Sequence, residues 1–387
     1  MDYQKFYFTK KQKKFFIILI IIGIIALSAG LFTLPSERIW ANILLNTFYF
    51  LAFSLAGVFF LSVHIAGQSG WHTSIQRIPE AMGAFMPVSA ILMAIIVIFG
   101  MHDIYHWTHG NSDPIIEGKK AYLNTWFFIA RLAVYFAGWI FLSNKIRLLS
   151  LKDDQTYDIT NFKKSHVFAV LFIVFFALTN SSSSWDILMS IDAHWYSTLY
   201  AWYIFSSLFV SGIAVIILMV VYLKSKSYLP HVNKEHLHDL GKYLFGLSVF
   251  WMYLWFSQYM LIWYANIPEE TIYFIQRREN FSTLMYLNVA LGFVVPFLAL
   301  LPRKSTRKEL IMVIVSVIVI VGHWIDFYLA VMPGILGEQA GINFLEIGLS
   351  VGFAGLFLWF VFRALSKASL VPVNHPFLKE SLEYQNL

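Results

Sequence analysis

The sequence predicts an all-α integral membrane protein of about ten transmembrane helices. Three observations carry that reading. Of 387 residues, 58% are apolar and 13% charged, where a soluble domain carries about 25% charged residues. Apolar runs of the length that crosses a bilayer, about 20 residues, recur between charged or turn-forming segments. None of the runs shows the strict alternation of a barrel strand, and in lipid a helix satisfies its own backbone groups.

The first run, 14–34, follows Lys10, Lys11, Lys13 and Lys14. Such a start fits a signal peptide, but the apolar stretch exceeds a 7–15-residue signal core and no good A-x-A site follows, so it is read as a retained helix. The second, 40–68, is long for a straight crossing and either tilts or starts at the interface. The others are 83–103, 122–146, 164–182, 196–223, 241–265, 280–301, 309–331 and 344–366, followed by a tail, 367–387. There is no linker rich in Pro, Gly or Ser and no room for a separate catalytic domain, so any chemistry sits within or at the faces of the bundle.

Charge gives the orientation. Of the 28 Lys and Arg residues, 22 fall on the side of the N-terminus and 5 on the opposite side, with Arg131 inside a span. The positive-inside rule then puts both termini in the cytoplasm. The formal charge of +6 is mainly an orientation signal. It implies no nucleic acid, and the basic loops can meet anionic lipid of the bilayer. Cysteine is absent, which excludes thiolate-held iron–sulfur clusters, haem attached through C-x-x-C-H, disulfides and thiol nucleophiles in this chain.

Ionisable residues within spans are costly and serve as site candidates by default. Most lie toward the non-cytoplasmic face. His102, His106 and His109 fall at i, i+4 and i+7, on one face if the third helix continues. They read as an interfacial belt, a proton-relay or docking face, or a metal site. Asp186, Asp192 and His194 lie in an apolar loop after span five, as loop residues, helix caps or site groups. His323 and Asp326 share one face of span nine, as a functional pair or a helix–helix hydrogen bond. Arg131 lies about 14 Å into span four, where an arginine costs about 2.5–3.5 kcal/mol. It needs a carboxylate, and Asp326 is the first expectation. His64, Gln68, His72 and Glu80 form the smaller cytoplasmic set. Only His102 and His323 suit as a pair of axial haem ligands, and two stacked haems are not supported.

The stretch SSSWDILMSIDAHWYSTLYAWYIFSSLFVSG, Ser182 to Gly212, and GHWIDFYLAVMPG, 322–334, resemble the ActF subunits of bacterial alternative complex III, within the NrfD/polysulfide-reductase membrane-anchor family. The resemblance covers nearly the whole chain. It implies two four-helix bundles, 40–182 and 196–331, with 14–34 and 344–366 as peripheral helices. It implies a subunit of a quinol:electron-acceptor oxidoreductase in the bacterial inner membrane, with four kinds of partner. These are an ActC-like sibling membrane subunit, a periplasmic iron–sulfur subunit, c-type cytochrome subunits and a terminal oxidase as one electron acceptor. Haem c and iron–sulfur clusters then belong to partners, and menaquinol is the electron donor. The motif positions that carry over are Trp185, Asp186, Asp192, His194, His323 and Asp326.

The expected function is that of a membrane subunit without a redox cofactor of its own, anchoring the complex and conducting protons. The proton-transfer candidates are His323, Asp326, Asp186, Asp192, His194, Arg131 and His64. His323, Asp326 and His102 are the candidates for quinone, and no residue is assigned to a metal. A quinol site needs an acid/base pair beside an apolar slot. The alternatives are a proton-coupled secondary transporter and a purely structural anchor. A transporter favours helices broken by Gly or Pro near the midplane in two repeats, and only Pro87 and Pro296 interrupt spans.

Overall fold

A computed structural model describes residues 5–109, 113–156 and 159–385. The last two residues of the predicted tail lie outside them. Ten helices among the described residues are long and apolar enough to cross a membrane, as in a multi-pass membrane protein. We number them α1 (Lys10–Thr33), α2 (Ser36–Ala66), α3 (Arg77–Ile104), α4 (Thr125–Asp153), α5 (Thr160–Ile187), α6 (Leu199–Ser225), α7 (Lys234–Ala265), α8 (Pro268–Leu300), α9 (Glu309–Leu336) and α10 (Phe344–Leu365). A short helix, α11 (Leu378–Leu382), ends the described chain.

Helix starts follow local chemistry. The Thr9 side chain caps α1 in a reciprocal pair with Gln12. Asn124, Asn233 and Asn343 start α4, α7 and α10, the last two in capping boxes. Such side chains satisfy backbone donors that have no partner within the helix. Pro268, Glu269 and Glu270 open α8, matching the preference for proline and negative charge in a first turn. Two helices therefore extend well beyond their apolar runs. The seventh begins at Lys234 rather than 241, and the eighth at Pro268 rather than 280.

α2 and α6 are the most enclosed helices. They touch each other, with Ala56 of α2 filling the space a Cβ on Gly212 of α6 would take. α2 also packs on α3, α5, α9 and α10, and α6 on α5, α7 and α9. α4 lies on α5, and α8 on α9. α1 packs chiefly on α10. There the backbones come close enough that a Cβ on Gly23 would stand 2.6 Å from the Cα of Gly352, the small-residue packing common between membrane helices.

The two ends differ. Residues 5–14 and the segment after α10 share one end, where Lys5 bridges to Ser369 and Phe6 packs on Phe362. We call it the basic end and its opposite the far end. At the basic end α11 covers the loop before α3, with Ser381 Oγ donating to Trp71 O and Ser74 N donating to Ser381 Oγ. At the far end a buried ion pair, Arg38 with Glu346 at 3.0 Å, ties α2 to α10.

α3 does not continue through its three histidines. It ends at Ile104, Tyr105 is extended, and His106–His109 form a separate 3-10 turn. His102, His106 and His109 therefore do not share one helical face. His102 stacks on His109 instead, with ring centroids 5.9 Å apart.

Candidate functional site

The most elaborate buried polar group surrounds Asp326. Its carboxylate is almost inaccessible, at 1% exposure. Side chains of three other helices donate to it. From α6 come the Tyr203 hydroxyl and Ser207 Oγ, the latter at 2.5 Å. Trp251 Nε1 of α7 donates at 2.9 Å and Asn288 Nδ2 of α8 at 2.7 Å. Four neutral donors on one carboxylate supply the stabilisation that water supplies elsewhere.

His323 lies one turn earlier on α9 and is fully buried. Its Nδ1 is 2.8 Å from Ser207 Oγ. A serine has one hydroxyl hydrogen. With that hydrogen given to Asp326, the Ser207 oxygen accepts from His323 Nδ1–H. The neutral ring then carries its lone pair on Nε2, which has no hydrogen-bond partner among the described residues. A buried acceptor without a partner is a place where a proton can arrive.

α8 is shaped for this contact. Residues Ala290–Val294 form a wide π turn that begins two residues past Asn288. Pro296 lacks an N–H and its ring crowds the carbonyl four residues earlier, which an α turn cannot accommodate. Gly322 of α9 fits against this turn, where a Cβ would meet Leu291 and Gly292 at 2.9–3.0 Å.

Toward the far end, a small cavity of about 30 Å³ is lined by Tyr203, Gln258, Tyr273, Arg277 and Asn288 among others. That is room for one or two waters. Arg277, nearly buried, donates through Nη2 to Asp192 at 3.1 Å, and its guanidinium lies 3.3 Å from the Tyr273 ring centre. Asp192 is partly exposed, at 23% of its side chain. A polar line thus runs from the far-end surface through Asp192, Arg277 and the cavity to Tyr203 and Asp326. In the other direction, α7 and α9 carry buried hydroxyls without partners among the described residues, Ser248 and Ser316. Further along α7, Tyr243 meets His64 Nε2 at 3.3 Å. His64 packs on His72 beneath the tail, with ring centroids 4.8 Å apart. Burial pushes His72 well below the usual histidine range, with His64 and His375 adding to the effect.

Arg131 pairs with Asp186 and not with Asp326. Its Nε and Nη2 lie 2.8 and 2.9 Å from the two carboxylate oxygens, and Tyr135 adds a third donor at 2.8 Å. The expectation failed because the helix ends differ from the apolar runs. α4 starts at Thr125, so Arg131 is about 9 Å from its far end, whereas α9 runs to Leu336 and sets Asp326 about 15 Å deep. Asp186, expected in a loop, is buried in the last turn of α5 at the depth Arg131 needs.

The remaining candidates are spread out. His194 is exposed and lies 2.6 Å from Asp113, and this hydrogen bond holds Asp113 below its ordinary range. His102 is exposed and bonds Thr108 of the 3-10 turn that follows α3. It is not gathered with His323. Among the described residues no group of three His, Asp or Glu is placed to hold a metal ion. The reading from sequence passed over Tyr203, Ser207, Trp251, Asn288 and Arg277. Tyr203 and Ser207 stood in the distinctive 182–212 stretch, whereas Trp251 and Asn288 carried no signal beyond an uncharged polar atom in an apolar run.

In comparisons with known proteins, no family model matches the chain and no curated protein matches it.

Proposed function

We propose that this chain is a membrane subunit of a respiratory quinol oxidoreductase of the alternative complex III type, in which His323, Ser207 and Asp326 pass protons. One observation carries the proton role. A buried histidine whose Nε2 has no partner among the described residues is linked through one hydroxyl to a carboxylate that four neutral donors hold ready. A proton bound at Nε2 releases the one on Nδ1 to Ser207 Oγ as Ser207 gives its own to Asp326. Ring rotation or a returning proton resets the chain.

The finer assignments belong to the same proposal. Both termini lie in the cytoplasm, with α2–α5 and α6–α9 as two four-helix bundles and α1 and α10 outside them in the bacterial inner membrane. The partners are an ActC-like sibling, a periplasmic iron–sulfur subunit and c-type cytochromes, with a terminal oxidase downstream. Cysteine is absent from the chain, which agrees with redox centres held by partners. The cavity beyond Tyr203 and Asn288 on this polar line, about 30 Å³, is an order of magnitude below an ordinary ligand pocket. Menaquinol is therefore assigned to another subunit, and the work of this one is proton transfer and anchoring.

Purification from native membranes tests the assembly. The chain should come out with haem c and iron–sulfur subunits, and isolation as a lone protein overturns the proposal. Within the complex, His323→Gln should preserve assembly and haem content yet reduce proton release per electron at least tenfold. Unchanged proton release leaves only the structural anchor.

A further inference from the structure

A second cavity, of about 390 Å³, opens at the basic end between α3, α4 and α10. Arg147, Arg363 and Lys367 line it, with Asn144, Ser143 and Glu80. Arg147 is fixed in place by backbone carbonyls, Nη1 on Glu80 O at 3.1 Å and Nη2 on Ala364 O at 2.6 Å. Among the described residues no carboxylate lies within 4.0 Å of any of the three cations. Glu80 is already engaged, with Arg77 at 2.8 Å, Ser150 at 2.6 Å and Gln76 at 2.9 Å on its carboxylate. The cavity therefore presents three positive charges that the fold leaves unneutralised.

Deeper along the same helix pair lies an apolar groove of about 320 Å³, lined by Ala90, Met93 and Val97 of α3 and Ile129, Ala133 and Phe136 of α4, among others. The small side chains of Ala90 and Ala133 leave it open. Pro87 lines the basic cavity and Val97 the groove. The ten residue steps between them span about 15 Å of helix, the depth of one leaflet's hydrocarbon.

We propose that this is a binding site for an anionic phospholipid of the leaflet at the basic end, its phosphate on Arg147, Arg363 and Lys367 and one acyl chain in the α3–α4 groove. Charge complementarity selects the headgroup. The adjoining apolar groove selects a lipid over a free anion. Basic pockets between membrane helices bind such headgroups, each basic residue near the surface being worth about 1 kcal/mol. The inference stands apart from the proton chemistry, since its residues lie outside that network.

The test uses the full chain, purified in detergent and stripped of lipid, with thermal unfolding followed as lipid is added. Phosphatidylglycerol should raise the midpoint, while phosphatidylcholine with the same acyl chains and inorganic phosphate should not. The variant R363Q/K367Q changes two exposed residues and should leave the lipid-free midpoint near wild type. Its apparent affinity for phosphatidylglycerol should fall about thirtyfold, two charges at about 1 kcal/mol each. A90L/A133L, with the groove filled, should weaken the same lipid while the cations remain. Equal protection by phosphatidylcholine overturns the proposal. So does equal protection by inorganic phosphate, or an undiminished shift in R363Q/K367Q.

Discussion

Arg131 grips Asp186 with two prongs, Nε and Nη2 on opposite carboxylate oxygens at 2.8 and 2.9 Å, and so joins α4 to α5 near the far end. The carboxylate is wholly buried and the guanidinium also lies against the rings of Tyr122 and Phe127. Removing one member of such a pair strands the other charge, which costs about 3–5 kcal/mol. Arg131→Met and Asp186→Leu should each destabilise the protein by that amount. The double variant should lose less than their sum, by about 1–3 kcal/mol. Unfolding titrations in mixed micelles give the cycle, and strict additivity contradicts the pairing.

Asp326 should respond to substitution according to the number of donors left without an acceptor. Trp251→Phe removes one donor and should cost about 1 kcal/mol. Asp326→Ala strands four donors and opens a cavity, and should cost at least about 3 kcal/mol. Asp326→Asn should fall between them, since its NH₂ faces donors. The same unfolding measurement ranks them, and a variant order that ignores donor count argues against a preformed carboxylate cradle.

Acid should loosen the tail. His375 is buried edge-on against Phe162 with ring centroids 5.2 Å apart. Burial lowers it to about 4, with Glu80 opposing and Arg77 assisting. A released histidine titrates near 6.5. Between those values the docked state binds fewer protons, so docking weakens as pH falls through the window and is fully present above 6.5. The slope is at most about 1.4 kcal/mol per pH unit for one group. Hydrogen-exchange protection factors across residues 370–385, corrected for the intrinsic pH dependence of exchange, should fall from pH 7 to pH 5, and His375→Phe should flatten the response. Equal protection factors at both pH values contradict it.

The contact of α1 with α10 should fail with one larger side chain. Gly352→Leu places a branched side chain where Gly23 Cα already sits 2.6 Å from an ideal Cβ. A disulfide between cysteines introduced at facing positions of the two helices should form readily in the parent and at least tenfold more slowly in the variant. Equal rates contradict close backbone contact.

The ten helices could be read from hydropathy because each contains an unbroken apolar run. Their ends could not. α7 begins with KEHLHDL and α8 with PEETIYFIQRREN, where caps and proline start helices that hydropathy sees as loops. Those hidden turns carry Arg277, which therefore looked like an outer-loop charge and proved to be the partner of Asp192. His323 and Asp326 stood out because charge in an apolar run is rare. Their partners Ser207, Trp251 and Asn288 did not, since a neutral polar atom costs little and leaves no trace in composition. The Arg131 partner depended on where two helices stop, a property of their caps that apolar content does not encode.

Two breaks, a kink at Phe281 and the wide turn at Ala290–Val294, divide α8 into segments with their own phases. One extra residue in a turn rotates everything before it by about 100° relative to an unbroken α-helix. Asn288 faces Asp326 because of that offset. Losing a single residue from the turn would leave every span the same apolar composition and nearly the same length, yet aim Asn288 at other neighbours. In this protein the grip of α8 on Asp326 is set by an angular count along one helix.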